Sequence, residues 1–554
     1  MPWGCGRCDD RGMGSTDTDV NADATGTAAD TGTAGASGAA GTAGVAGAAG
    51  AAGTAGTAGA AGVAGAAGTA GVAGAAGTAG TAGTAGTAGA AGTAGGAGDS
   101  AAVGGSAVAG ESGAGREGSG AGAAGVGDGR SGAGGEREVP RIARLTREDS
   151  EALLDIDQWA FAVPTDDLDL GPIIDEVEWS RTYGAYVTDR GADVLAGINS
   201  AFNLKLPVPG AEIPAAGLTW VGVHPQYRRR GVLTAMIRDH FERVRERGEA
   251  VSALHASEAV IYGRFGYGTA GRHVMMTVGR GAALRDVPGA ADVSVRLERV
   301  DVDRHVDLVA ECYEAARAGV PGFVSRDSPG TRRIALNDQL ATRRRGGVET
   351  LRIAIAESDD GGPARGYALF RRKHNWEGAT PNGTVQIREA IARDPAAAHA
   401  LWSRLFDLDL MGQVDVSDRP LDDPLLSMLV DPRSAKPVVV DGIWVRLVDL
   451  PAALAARRYT RDVDVVLEVS DAMCPWNAGR WRLAGGPDAA ECTPTTDPAD
   501  LSLDVRELGA AYLGSEPLTH LASAGLVRAA DGDALIRAAA AFSWPVRAYT
   551  PWTF

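Results

Sequence analysis

The residues with the most chemical promise lie between Leu218 and Tyr267. Leu218-Thr-Trp-Val-Gly-Val223 is rich in β-branched and aromatic residues and reads as a strand. His224-Pro225 ends it, because proline has no N–H for a ladder. Tyr227-Arg-Arg-Arg-Gly231 is a basic loop. Val232, Leu233, Met236, Ile237, Phe241 and Val244 then recur on one helical face, and Gly248 stops that helix. Val251-Ser-Ala-Leu-His-Ala256 is the next strand. The first amides of such a helix have no internal partner, and its dipole favours negative charge at that end. Gly231 permits close backbone approach, and Arg228, Arg229 and Arg230 add positive charge. A pyrophosphate fits these demands. The triphosphate loop Gly-x-x-x-x-Gly-Lys-Ser/Thr and the dinucleotide fingerprint Gly-x-Gly-x-x-Gly are both absent here.

Other elements must hold this stretch in place. Leu153, Leu154, Ile156 and Trp159 space a helix over Ser150–Ala162, and strands follow at Gly184-Ala-Tyr-Val-Thr and Val194-Leu-Ala-Gly-Ile-Asn. A second unit opens near Val293-Ser-Val-Arg-Leu. It has a helix over Val306–Ala318, strands at Leu351-Arg-Ile-Ala-Ile-Ala and Gly366-Tyr-Ala-Leu-Phe, and a strand at Val385 followed by a helix through Leu405. A third unit opens near Gly442-Ile-Trp-Val-Arg-Leu447. Its alternating strands include Asp464-Val-Val-Leu-Glu-Val, Gly479-Arg-Trp-Arg-Leu and Leu501-Ser-Leu-Asp-Val, and its helix spans Leu535–Phe542.

Composition limits the function classes. The chain has 53 Lys+Arg against 70 Asp+Glu, a net charge of −17, which argues against general nucleic-acid binding and suits cationic substrates. No run is apolar enough for a membrane span, and the first residues lack the apolar core of a secretory signal, so the chain reads as cytoplasmic. Cys5, Cys8, Cys312, Cys474 and Cys492 are too scattered for a disulfide framework. Cys5 and Cys8 have the spacing of half a zinc site, but the segment supplies no further Cys or His, so no metal is expected. Residues 1–139 carry glycine at every third position from Gly32 to Gly95, with small residues between. Proline, which a collagen helix requires, is missing from Trp3 to Val139. Such a segment buries too little apolar area to offset its ordering entropy, so disorder is expected there.

Arg228-Arg-Arg-Gly231-Val-Leu233 resembles motif A of the GNAT acetyltransferases, with Leu233 where Gly or Ala is usual. Val221-Gly-Val-His-Pro-Gln-Tyr-Arg-Arg-Arg-Gly-Val-Leu233 and Ala253-Leu-His-Ala-Ser-Glu-Ala-Val-Ile-Tyr-Gly-Arg-Phe-Gly-Tyr-Gly268 resemble the Eis (enhanced intracellular survival) family, which accepts Leu at that position. The resemblance runs through residues 140–554. It implies an α/β (α+β) protein with a GNAT domain at 140–288, a second GNAT-like domain at 289–437 and a sterol-carrier-protein-like domain at 438–554, assembled as a hexamer. It also implies acetyl transfer from acetyl-coenzyme A (acetyl-CoA) to a small-molecule or peptide primary amine, aminoglycosides among them, by direct attack on the thioester. By the same resemblance Val221, Gly222 and Val223 face the pantetheine. Arg229, Arg230, Gly231, Val232, Leu233 and Thr234 hold the pyrophosphate, and Ser257 and Glu258 line the coenzyme site. Tyr262 is the general acid, the terminal carboxylate of Phe554 the general base, and Trp220 and His255 line the amine pocket.

Plainer readings stand beside these. Tyr267 is a second available phenol, His255 suits a satisfied core histidine, and Ser257 suits a helix N-cap. Arg343-Arg-Arg-Gly346 follows a helix-like Arg333–Ala341 rather than a strand and reads as a solvated charged end. Thr553 stands where some aminoglycoside-acetylating relatives have Glu. Ala160-Phe-Ala-Val-Pro164 lacks an Asp they carry nearby, although Asp166 and Asp167 follow. A lipid carrier with a vestigial transferase, and a protein lysine or N-terminal acetyltransferase, are the rival functions.

Overall fold

The computed structural model describes residues 139–161, 171–338, 348–358 and 360–554. The Gly/Ala-rich segment, Cys5 and Cys8, Asp166 and Asp167, and Arg343–Gly346 lie outside the described residues.

Three α/β units are built on three large sheets. The first has seven strands in the spatial order β1 (Arg141–Arg144), β2 (Tyr183–Asp189), β3 (Ala192–Val208), β4 (Ala211–Val223), β5 (Val251–His255), β16 (Ile443–Leu447) and β6 (Gly268–Thr269). The second has the order β15 (Val438–Asp441), β7 (Arg272–Gly279), β14 (Met411–Pro420), β13 (Gly383–Ala392), β10 (Gly366–Lys373), β9 (Arg352–Ser358) and β8 (Val293–Arg299). A small hairpin, β11 (Trp376–Glu377) and β12 (Thr380–Pro381), sits beside it in sequence. The third sheet runs β19 (Ala490–Pro494), β18 (Gly479–Gly485), β17 (Val463–Ser470), β20 (Leu501–Asp504) and β21 (Val527–Ala529).

Strands are exchanged between units. Ile443–Leu447, expected to open the third unit, lies in the first sheet between β5 and β6. Ile443, Trp444, Val445 and Leu447 are all buried, as a strand covered on both faces requires. Likewise β7, from the first unit's sequence, pairs with β14 and β15 in the second sheet.

Local chemistry sets the helix ends. The first helix spans Ser150–Phe161. The helix expected at Val306 starts at Val302, because the Asp301 side chain accepts a hydrogen bond from Arg304 N–H and caps it there. Pro329–Ile334 is a short helix started by a capping box of Ser328 and Thr331, while the helix expected over Arg333–Ala341 runs in part outside the described residues. A single core joins the β3–β4 hairpin, β16, the third unit and the C-terminal Trp552 and Phe554.

Candidate active site

The site begins with a defect in β4. Trp220 has φ +54°, a left-handed conformation that is a real outlier for a bulky residue. The β3–β4 register slips at the same place, between Ile198 and Ser200. On its other edge β4 pairs with β5 in parallel for only three residue pairs, Ala215–Val251, Ala216–Ser252 and Gly217–Ala253. Beyond Gly217 that ladder ends, so the β5-side edge of Leu218–Val223 borders the gap between the two strands. Val221, Gly222 and Val223 therefore sit on an edge able to hydrogen-bond an extended chain. The helix Ser150–Phe161 packs close to it, since a Cβ on Gly222 would lie 3.2 Å from Ala160 Cβ.

The basic loop follows. Arg229 (φ +64°) and Gly231 (φ +86°) both turn left-handed, and Gly231 is the N-cap of the helix Val232–Glu246. An added Cβ on Gly231 would meet nothing within 4 Å, so the backbone angle, not crowding, calls for glycine. No side chain caps this helix, and its first ladder bond runs from Ala235 N–H to Gly231 C=O. The amides of Val232, Leu233 and Thr234 thus precede the ladder. Arg228, Arg229 and Arg230 are exposed and make no ion pair among the described residues; Arg230 stacks 5.3 Å over the Tyr227 ring. The side chains of Val232 and Leu233 pack into the core, so Leu233 serves packing while its amide faces the loop.

One cleft gathers Trp220, Val221, His255, Ser257, Tyr262 and Phe554 of the expected residues, but not Gly222, Val223 or Glu258. Leu218–Val221 form one side, Asp157 and Phe161 another, His255 and Ser257 a third, and Tyr262, Thr553 and Phe554 complete it. Burial, helped by Glu258, pushes the Tyr262 phenol up to about 12, so it is protonated at neutral pH. Tyr267 is a different case. Its hydroxyl lies 2.8 Å from Ser252 Oγ, which in turn lies 2.9 Å from His240 Nε2, and it is fully buried outside the cleft. Of the two phenols, only Tyr262 lines the opening.

His255 is held neutral. Burial, with His273 nearby, lowers its pKa to about 3. Its ring hydrogen-bonds to the backbone of Trp552 and meets the Phe554 ring edge-on, with centroids 5.2 Å apart. The C-terminal segment is docked by aromatic contacts. Trp552 lies 5.1 Å from Phe202 and 5.5 Å from Phe554, and Phe554 is 7% exposed. Gly217 makes room for this end, because a Cβ there would overlap Leu204 and stand 3.0 Å from Phe554 Cε2.

Ser257 and Glu258 are exposed at the start of the short helix Ala259–Tyr262. The N-cap position falls on Glu258, not Ser257, and neither provides a side-chain cap bond. Asp157, which no motif marks, also lines the cleft. It is 4% exposed, and its place one turn after Leu153 on the apolar stripe was the available signal. Among the described residues no cluster of three or more His, Cys, Asp or Glu side chains is arranged to hold a metal ion. No helix among them is long and apolar enough to cross a membrane.

Comparison with known proteins bears on the same regions. Two models described as acetyltransferase (GNAT) domain match residues 141–270 and 322–447, and a sterol carrier protein domain matches 450–551. A collagen triple helix repeat model matches residues 23–84, following the glycine spacing of a span that has no proline. An uncharacterized N-acetyltransferase of Streptomyces avermitilis is 43% identical over 378 residues, covering 68% of this chain and 90% of the relative. N-acetyltransferase Eis of Mycobacterium tuberculosis is 36% identical over 387 residues, covering 67% of this chain and 90% of that protein. The crystal structure of Eis1 from Mycobacterium abscessus aligns with TM-score 0.62 at 32% identity, over 75% of this chain and all of the other.

Proposed function

We propose, for a chain that belongs to the Eis family of GNAT N-acetyltransferases, that acetyl-CoA is the donor and a primary amine the acceptor. The protein is an acetyltransferase built from two GNAT-like domains and a sterol-carrier-like domain. In this reading the amides of Val232, Leu233 and Thr234, with Arg229 and Arg230, hold the pyrophosphate. The β4 edge at Val221–Val223 pairs with the pantetheine, and Ser257 and Glu258 flank it. The amine enters between Trp220 and His255 and attacks the thioester carbonyl directly, with no acyl-enzyme. The carboxylate at Phe554 takes the ammonium proton, and the Tyr262 phenol donates to the departing thiolate. The observation that carries this reading is the divergence of β4 from β5 beside an uncapped helix start, in a cleft that Tyr262 and Phe554 share. The acceptor is an aminoglycoside or a lysine-type amine, and a homohexameric assembly in the cytoplasm accords with the family resemblance.

The rival, lipid carriage by the third domain, meets a charged core. Arg457 is fully buried there, donates to the carbonyls of Tyr512 (2.5 Å) and Phe542 (2.8 Å), and lies 4.7 Å over the Tyr459 ring. That guanidinium is satisfied by backbone carbonyls, and this domain's core is continuous with the β3–β4 hairpin. It acts as a buttress for the cleft.

Thiol release from acetyl-CoA tests the reading, measured with kanamycin, with a lysine peptide and with neither. Removing Phe554, or extending the chain beyond it, is expected to lower turnover about 10²–10⁴-fold while coenzyme binding stays within twofold of the wild type. Tyr262→Phe is expected to behave similarly. Full activity of the extended chain would refute the role of Phe554.

A further inference from the structure

Behind the cleft lies a buried polar row that the chemistry above does not use. His255 lines the cleft, and the His273 ring stands 6.1 Å from it, centroid to centroid. His273, 1% exposed on β7, has Nδ1 3.5 Å from Asp418 Oδ1. Nδ1 donates to that carboxylate, which leaves Nε2 an acceptor. Nε2 of His255 is likewise left over, because its other nitrogen serves the Trp552 backbone. Among the described residues neither buried Nε2 atom has a hydrogen-bond partner, nor has the hydroxyl of Tyr549, whose ring packs against His273. The two Nε2 atoms do not bond each other directly, so a route between the rings needs a bridging water.

Asp418 reaches His273 through a second backbone defect. It has φ +52° and lies where the β14–β7 register slips between Val416 and Arg419. Bulges re-aim side chains, and this one turns a carboxylate from the strand onto a buried imidazole. Its side chain is 30% exposed, so the row that starts in the cleft ends at solvent. Burial raises the Asp418 carboxyl, but His273, together with His255 and Arg419, holds the group below the usual range. Gly442 leaves the space beside His273 open, since a Cβ there would stand 2.7 Å from its Nε2. Tyr549 packs 5.5 Å from His273, and Arg419 lies over Tyr549 with Asp423 beyond it.

We propose that His255, His273 and Asp418 form a proton-release route that carries the amine's proton from the cleft to the surface. The proposal rests on the acetyl-transfer reading above. The proton leaves the substrate ammonium for the Phe554 carboxylate and moves through water held by the His255 and His273 Nε2 atoms to His273 Nε2. The imidazolium formed there is neutralised by Asp418 and loses its Nδ1 proton through that carboxylate to solvent. No bond other than N–H and O–H changes along the route.

Asp418→Asn keeps a residue type that tolerates the left-handed backbone and removes the charge. With His273→Phe it forms the test, read by thiol release in the full chain. Both variants are expected to lose at least about tenfold in kcat, with KM for amine and acetyl-CoA within twofold. Added imidazole should restore the rate in proportion to its concentration, and the solvent deuterium isotope effect should rise. His273→Gln reports on packing alone and should match His273→Phe. Wild-type kcat in Asp418→Asn, or a loss that imidazole does not restore, overturns the route and leaves the acetyl-transfer reading intact. Absence of thiol release from the wild type with every amine overturns both.

Discussion

The two GNAT-like units contain the same crossover with opposite electrostatics. In the first, β4 leads through a helix to its parallel neighbour β5; in the second, β13 leads through the helix Pro395–Phe406 to β14. The first pairing lasts three residue pairs and the second five, ending at Ile387–Val416, and in both units the strands part before the helix start. The first helix starts at an uncapped glycine under three exposed arginines. The second starts with Pro395, which has no N–H, behind Asp394, whose carboxylate accepts from Ala397 N–H. Arg365 then grips that carboxylate through two bonds of 2.9 and 2.7 Å. An internal acid occupies the place an anionic ligand would take. The topology is therefore permissive, and a few residues at the helix start decide whether it becomes a site.

Moving the acid from one unit to the other should have the largest effect. Gly231→Asp is expected to weaken coenzyme A binding about thirtyfold by placing a carboxylate at the pyrophosphate position. Gly231→Asn, which tolerates the same φ, should cost several-fold less, and titration calorimetry compares them. Equal losses would mean that backbone strain, not charge, separates the two helix starts. Next in size is the point where β4 and β5 part. Gly217→Ala is expected to displace Leu204 and the Phe554 ring and lower kcat about tenfold, with coenzyme affinity little changed. The smallest effect is expected from unplugging the second unit. Asp394→Asn should cost about 1 kcal/mol of stability and confer no coenzyme binding, because Pro395 offers no N–H and no run of arginines precedes that helix. Arg365 holds the Asp394 carboxyl below its ordinary range, so its contribution is present above the ordinary carboxylate pKa and fades as pH falls through the depressed value. Denaturant unfolding of the two proteins at neutral and acid pH should show the gap closing in acid.

Much of the first crossover was legible because its signals are local. A strand ended by His224-Pro225, a glycine loop and an apolar stripe from Val232 need no distant partner to be recognised. That Tyr262 rather than Tyr267 lines the cleft was not legible from spacing, since both follow β5 closely. It turned on Ser252 and His240 engaging the second hydroxyl. The Asp394 plug had a readable form, Asp-Pro before a helical run, but Arg365 comes from another strand. Nothing near Asp418 or His273 marked them as partners, because the strands that bring them together are far apart in the chain.

The amino-acid sequence by itself determined the elements, the uncapped helix start and the family, because periodicity, caps and turn residues act over a few neighbours. Tertiary structure alone decided where β4 leaves β5, that Ile443–Leu447 enters the first sheet, and that Phe554 docks beside His255. Those outcomes depend on which edges and cavities remain open once distant segments have packed. Side-chain volume and hydrogen-bond satisfaction settle that across the whole core, and no local stretch of residues encodes it.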